Sequence, residues 1–370
     1  MSATRLIWLL LIASSSSARI LQRVHIVVNP FGGGGVGLST LDAVLPMFQD
    51  AGIDVTTLQT EYAGHAGDLA RTTAPLLDAF IGIGGDGTAH EIANGMLRRD
   101  VSDRVPTGII PAGSGNTWAF DLGFDDAVAA TEAIIRGETL CVDVMAVNSV
   151  SASDEDEMDC EFAINIVGFG MPAAVLEKAN ALRWLGSAQY ELAGLLLIAK
   201  GQTSFDARLE MELEDGSTAV RELSDFSFAQ AQINMHMGKQ VPFAPSARMD
   251  DGLLDLVLVT RSGPLDILNA NARARGATHD ALPFVEVLRC RSYTLVPKVA
   301  PTGNEPRVVA LNLDGELSLA APFRAVCVPR ALEVFASRLR AEPRDSSTEF
   351  EPRLVLSIIQ LYDAMKLAST

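Results

Sequence analysis

Residues 82–95, GIGGDGTAHEIANG, gather five glycines around one aspartate and then continue at a helical period. Glycines at Gly84 and Gly85, closing an apolar run, put no Cβ atom between the backbone and a ligand. A helix beginning near Thr88 would offer unpaired N–H groups at its positive end, a seat for phosphate. Asp86 suits that seat only if a metal bridges it to the phosphates, or if it accepts a proton from an attacking hydroxyl. Aspartate also caps helices, so the stretch alone reads as either a capped turn or a phosphate site.

Two further glycine loops bear on that choice. PAGSGN (111–116) again follows an apolar run and precedes a helix; Gly113 and Gly115 permit close approach, while Ser114 and Asn116 supply hydrogen bonds. NPFGGGGVG (29–37), with Asn29, Gly32 and Gly33, ends the first apolar run. Loops at the carboxyl ends of parallel strands converge on one crevice, where open α/β sheets bind ligands. None of the three fits GxxxxGK[ST] or a clean GxGxxG, which disfavours a coenzyme-binding dehydrogenase. The five histidines form no metal-spaced group and no GxSxG elbow is present. His65, in a loop entering a helix, could face the same crevice, whereas His90 reads as a polar position on a helix surface.

The elements that would carry these loops follow from periodicity. VHIVVN (24–29), IDVTTLQT (53–60), AFIGI (79–83), TGIIPAG (107–113) and TLCVDVMAV (139–147) read as strands. Between them lie a helix with Leu38, Leu41, Leu45 and Phe48 on one face, helices over 66–78 and 125–136, and one after the opening motif. In that last helix Ala89, Ile92, Ala93, Met96 and Leu97 form the apolar stripe, with Glu91 and Asn94 off it. Alternating strands and helices predict an α/β domain over 24–147, a parallel sheet with helices on both faces. From 163 the texture changes to β-like runs around one long helical stretch (173–200), predicting a mainly antiparallel β-rich domain over 148–337. NLDGEL is a hairpin signal, and Asp250–Asp251–Gly252 is a turn signal.

The chain has 370 residues, a 48% hydrophobic composition and a net charge of −17, a globular balance that argues against phosphate-driven nucleic-acid binding. Four scattered cysteines read as reduced structural thiols. Residues 1–23 hold three arginines, no acid and the run LIWLLLIA, too short to span a bilayer; a signal, transit or anchor segment is expected. SASDEDEMDCE (151–161) reads as a solvated acidic loop, and 338–370 as a linker and C-terminal helix.

The motifs, in the order NPFGGGG, TEYAGHA, GGDGTAHEIANG, PAGSGN, RWLGSAQYEL, ARMDDGLLDLVLV and LNLDGE, resemble the diacylglycerol kinase catalytic-domain superfamily, which includes sphingosine and other long-chain-base kinases. GGDGT alone is shared with NAD kinases and related phosphofructokinases; the ordered set is specific. The resemblance spans about residues 24–337 and implies an ATP-binding α/β domain followed by a β-rich lipid-binding domain. It implies Mg²⁺-assisted transfer of the γ-phosphoryl group of ATP to a primary hydroxyl of a membrane lipid. By the same resemblance Asp86 matches the general base. Thr60, Gly84, Gly85, Gly87, Thr88, Glu91, Ser114 and Asn116 match nucleotide-site positions. Arg183 matches an arginine that approaches the phosphates. Asp314, Gly315 and Glu316 match a triplet whose acids help to hold metal and phosphate and, in bacterial relatives, assist the base. Asp314 is thus the expected metal ligand and Glu316 the expected partner of Asp86.

Three positions depart from the pattern: GGGG stands where GGKG is common, Gln189 where a second arginine is frequent, and Pro172 where many relatives carry an acid that helps recognise a sphingoid amine. PAGSGN and RWLGSA nevertheless point to a sphingoid base before diacylglycerol. An NAD kinase-like enzyme and a non-catalytic lipid- or nucleotide-binding regulator are the other readings. A bilayer-resident substrate implies work at the surface of an intracellular membrane; the motifs are silent on oligomeric state.

Overall fold

The computed structural model describes residues 19–337 apart from 74–75, 151–159, 183–187, 201–203, 240, 262 and 299–309. Residues 1–18 of the leader, most of the acidic loop, Arg183 and the C-terminal segment therefore lie outside the described residues. The chain forms two compact units, one up to Val142 with a return segment from Leu332, the other from Asp143 to Ala331.

The first unit is built on β1 (Arg23–Val28), β2 (Asp54–Gln59), β3 (Ala79–Gly84) and β4 (Thr107–Pro111). They pair in parallel in the order β2-β1-β3-β4, and Val334 of the last strand pairs with Thr107 beyond β4. All six residues of β3 are buried, as an unbroken apolar run in a central parallel strand requires, whereas the polar run DVTTLQ of β2 lies at the edge and stays largely exposed. The helices are α1 (Val36–Asp50), α2 (His65–Thr72), α3 (Asp86–Leu97), the short α4 (Thr117–Asp121) and α5 (Ala127–Ile135). The α1 stripe is Leu41, Val44 and Phe48; Leu38, expected on it, is exposed because Gly37 takes the inward place in the first turn. A Cβ on Gly37 would lie 2.3 Å from the Asn29 carbonyl oxygen.

The second unit is antiparallel. Its strands are β5 (Thr139–Ser149, entering from the first unit), β6 (Glu161–Ala163), β7 (Ile166–Gly170), β8 (Phe205–Leu213), β9 (Thr218–Phe226) and β10 (Phe228–Gln232). They continue with β11 (Leu254–Val259), β12 (Val285–Pro297), β13 (Ala310–Leu313), β14 (Glu316–Ala320) and β15 (Phe323–Phe335). The order is β14-β13-β7-β10-β11-β12-β15, with β8 also on β12 and β9 on β8. β12 serves three partners: Val285–Cys290 pair with β11, Cys290–Pro297 with β8, the register shifting between Cys290 and Ser292, and Ser292–Leu295 with β15. Phe169 sits at the centre of the core, its ring against those of Phe205, Phe226 and Phe323. Each such buried ring contributes about 1.5–3 kcal/mol.

The single long helix expected over 173–200 is instead two, α6 (Met171–Asn180) and α7 (Ala188–Ala199). α8 (Pro264–Ala274) was not foreseen; it is held by a narrow stripe of Ile267, Ala270 and Ala274.

Candidate functional site

Three glycine loops meet in the first unit, packed backbone on backbone. A Cβ on Gly33 would lie 2.0 Å from the Ala112 carbonyl oxygen, one on Gly113 would lie 2.5 Å from Gly85 Cα, and one on Gly115 would lie 2.8 Å from Asp86 Oδ2. No residue but glycine fits those places, so the close approach expected of the three loops is made among the loops themselves. Gly34 and Gly35, both left-handed, have nothing within 4 Å of a built Cβ and leave the first loop open on that side. Asn29 stiffens its entry, its Oδ1 accepting from Phe31 N at 3.0 Å. Gly84 makes room for Thr88, whose Oγ1 lies 2.2 Å from the built Cβ; Thr88 is buried against β3, and Gly87 occupies the first turn of α3.

Asp86 does not cap its own helix. Gly85 is the N-cap of α3, and the Asp86 carboxylate reaches α4 instead: Oδ2 accepts from Thr117 N at 3.1 Å and Oδ1 from Trp118 N at 2.9 Å. The α4 N-cap, Asn116, has a left-handed backbone and no capping bond of its own. Its side chain closes the PAGSGN loop, Oδ1 accepting from Gly113 N at 2.8 Å and Nδ2 donating to the Gly113 carbonyl at 2.6 Å. Ser114 stands exposed at the tip.

Glu91 repeats the device one turn on. Its Oε1 accepts from Gly64 N at 2.8 Å and its Oε2 from Ala66 N at 3.1 Å, supplying the cap that α2 lacks. Gly67 and Gly95 bring α2 and α3 close enough for this; a Cβ on Gly95 would lie 2.1 Å from the Gly67 carbonyl oxygen. His65, the first residue of α2, accepts from Glu61 N through Nδ1 at 3.0 Å and stacks on Tyr62. Thr60 is buried at the end of β2, its N–H on the Val28 carbonyl. His90 and Asn94 were expected on the polar surface of α3; both are buried, with the Asn94 amide bonded to the His90 carbonyl at 3.1 Å. α3 is covered on more of its circumference than an amphipathic stripe predicts. The trans-capping was missed: Gly64 and Asn116 are ordinary cap residues, and nothing in AGHA or GNTW marks that carboxylates of α3 supply the bonds.

In the second unit, Asp314 and Gly315 form a hairpin turn between β13 and β14 with φ of 52° and 96°, the type I′ pattern that Asp-Gly favours. The buried Asp314 carboxylate accepts three backbone bonds, from Ile164 N at 2.7 Å and from Asn165 N and Ile166 N at 2.8 Å. Glu316 is exposed. Asp143 anchors the turn after Met249, accepting from Gly252 N at 2.6 Å and Arg330 N at 2.8 Å. Burial raises its proton affinity, and those two bonds oppose the rise. Asp251 pairs with Arg289, while Asp255, almost fully buried, is pushed up to about 6 by desolvation, with Arg289 acting the other way.

The first-unit loops suit a polyphosphate: short backbone turns, a helix N-terminus and an open glycine face. Among the described residues no group of three His, Cys, Asp or Glu is arranged to hold a metal ion. Mg²⁺ carried on phosphates needs only one or two carboxylates, so the residues present are compatible with it.

Residues 23–147 match the family model of the diacylglycerol kinase catalytic domain, and residues 165–336 that of the YegS C-terminal NAD kinase beta sandwich-like domain. Sphingosine kinase 1 of Arabidopsis thaliana is 25% identical over 90% of this chain and 76% of its own. A diacylglycerol kinase of Bacillus subtilis (strain 168) is 27% identical over 88% of this chain and 100% of its own. In fold the chain is similar to a diacylglycerol kinase crystal structure from Bacillus anthracis str. Sterne, with TM-score 0.63, 19% identity and coverage of 87% and 100%. Both halves match in order: the chain belongs to the diacylglycerol kinase catalytic-domain superfamily and is an ATP-dependent lipid kinase acting on an alcohol group.

Proposed function

We propose that this kinase phosphorylates the primary hydroxyl of a sphingoid base, with Asp86 as general base. The observation that carries the base assignment is the fixed carboxylate of Asp86, held by two α4 N–H groups beside the meeting point of the glycine loops. The acceptor oxygen attacks the γ-phosphorus of ATP, its proton passes to Asp86, and the bond to the leaving ADP oxygen breaks. Backbone N–H groups of Gly33, Gly34, Ser114 and Gly115 and the α3 N-terminus hold the phosphates. Mg²⁺, when bound, neutralises phosphate charge; Asp314 is its proposed ligand and Glu316 the proposed assistant of the base. Arg183 is proposed to approach the phosphates.

The sphingoid reading is supported by PAGSGN and by the name of the Arabidopsis relative. Diacylglycerol is the second reading, favoured by the full-length match to the Bacillus subtilis enzyme. The proposed place of action is the surface of an intracellular membrane; no helix among the described residues is long and apolar enough to cross one. Incubation with labelled ATP and sphingosine, dioctanoylglycerol or NAD tests the reading. Labelled sphingosine phosphate is expected; labelling of NAD alone, or of no acceptor, overturns it.

A further inference from the structure

The loops at the carboxyl ends of β2, β1 and β3 begin level with one another. The Thr60 N–H bonds to the Val28 carbonyl and the Asn29 N–H to the Ile83 carbonyl, so the chain leaving β2 starts beside the first glycine loop, and that loop beside GGDGT. Among the described residues of these turns two aromatic side chains stand exposed, Phe31 at 81% and Tyr62 at 55%. Phe31 is held through its backbone N–H. Tyr62 is held through its ring: the hydroxyl donates to Asp68 Oδ2 at 3.1 Å, and one face lies on His65, with centroids 4.3 Å apart and planes 9° from parallel.

The histidine beneath the ring is fixed in turn. Its Nδ1 accepts the Glu61 N–H at 3.0 Å, its own N–H bonds to the Tyr62 carbonyl at 3.3 Å, and Glu91 of α3 holds the N–H groups of Gly64 and Ala66 on either side of it. Tyr62 is thus clamped at its hydroxyl and covered on one face, and the other face meets solvent as a flat apolar surface already ordered. Ordering an exposed ring costs side-chain entropy and buries little, so a ligand that stacks there binds to a surface whose ordering is complete. The chemistry around the ring narrows the ligand. The hydrogen bond to Asp68 and the charges of Asp68 and Glu61 tighten the phenol's hold on its proton, so both carboxylates lie close. They repel a phosphate and leave a flat, uncharged π system as the fitting occupant.

We infer that Tyr62 stacks on the adenine base of ATP and sets how tightly the enzyme holds its nucleotide. The inference rests on ATP as phosphoryl donor and not on which lipid accepts. With the phosphates over the ends of β1, β3 and β4, the base extends to one side of them. On the β1 side the next strand is β2, whose loop carries the Tyr62 ring; on the β4 side the PAGSGN loop presents Ser114 and no ring. Tyr62 touches the base alone, so it acts on ATP affinity and not on the transfer step.

Titration calorimetry of the full chain with ATP and with inorganic tripolyphosphate, each with Mg²⁺, separates the base from the phosphates. Tyr62→Ala should weaken ATP about tenfold, the lower part of what base–aromatic stacking contributes, and leave tripolyphosphate unchanged. Tyr62→Phe, which keeps the ring, should retain the wild-type affinity for ATP. Unaltered ATP affinity in Tyr62→Ala overturns the inference, as does equal weakening of ATP and tripolyphosphate, the sign of a collapsed loop. If tripolyphosphate binds too weakly to measure, proton NMR of the adenine H2 and H8 signals decides: they should move upfield on binding to the wild type and to Tyr62→Phe but not to Tyr62→Ala, and no difference overturns the inference. A wild type that binds ATP yet labels no lipid removes the acceptor reading and leaves these binding results to decide this one; a wild type that binds no ATP overturns both.

Discussion

The two units solve the problem of presenting polar groups in opposite ways. In the first, glycines at 33, 85, 113 and 115 strip side chains away so that loops pack on one another and backbone N–H groups do the presenting. In the second, polar side chains are driven into the interior: Gln230, Gln232, Asn234, Asp143, Asp255 and Asp314 are all buried on or beside strands. Backbone groups on rigid turns suit a ligand that every such kinase shares, the polyphosphate. Side chains driven inward hold turns and strands together instead, as Asp143 and Asp314 do through the backbone N–H groups they accept.

The comparison breaks first at Asp86. Asp86→Asn should lower kcat about 10²–10⁴-fold while ATP binding, measured by titration, stays intact, because a carboxamide accepts the α4 bonds through only one oxygen and takes no proton; an unchanged kcat would remove the base assignment. Gly113→Ala tests whether the loops are packed as tightly as their backbones imply. With a methyl group 2.5 Å from Gly85 Cα, chemical denaturation should show a loss of roughly 1–3 kcal/mol together with weaker ATP binding.

A buried acid of the second unit answers to pH instead. Desolvation raises Asp255 from 3.8 to about 6, so the native state holds that proton more tightly than the unfolded chain does. Its contribution to stability is therefore greatest below about pH 4 and is lost as pH rises through 6, by roughly 2–3 kcal/mol. Asp255→Asn should flatten the stability profile between pH 4 and 6.5 and raise the midpoint of urea unfolding at pH 7; a wild-type profile retained in the variant would contradict the assignment. The smallest effect is expected at Gly315. Gly315→Ala places a Cβ at φ 96° in an otherwise open turn, costing about 1 kcal/mol in thermal unfolding.

Much of this was legible in the sequence. The unbroken apolar run AFIGIG and the polar run DVTTLQ announce a central and an edge strand, and Asp-Gly between β-like runs announces its own turn type. The three glycine loops were legible as a set, since glycine at such density has few other uses. The partners of the polar side chains were not. Periodicity shows which face a residue occupies but not which segment, 25 to 32 positions away, it bonds to, so the roles of Glu91 and Asp86 as caps of foreign helices stayed hidden. His90 and Asn94 were misplaced for a related reason, because burial by a neighbouring helix obeys no local pattern. The buried amides Gln230, Gln232 and Asn234 were invisible because FAQAQIN alternates like any half-buried strand, and alternation cannot tell a solvated face from a buried polar one.

The two acids of α3 also make a timing device of that helix. Asp86 holds the N–H groups of Thr117 and Trp118, and Glu91 those of Gly64 and Ala66, so the helix fastens a neighbour on each side. If α3 opens, four amides on two other helices lose their acceptors together. In native-state hydrogen exchange these amides should therefore behave as one cooperative group, exchanging at a common rate set by the opening of α3 rather than by their own short helices.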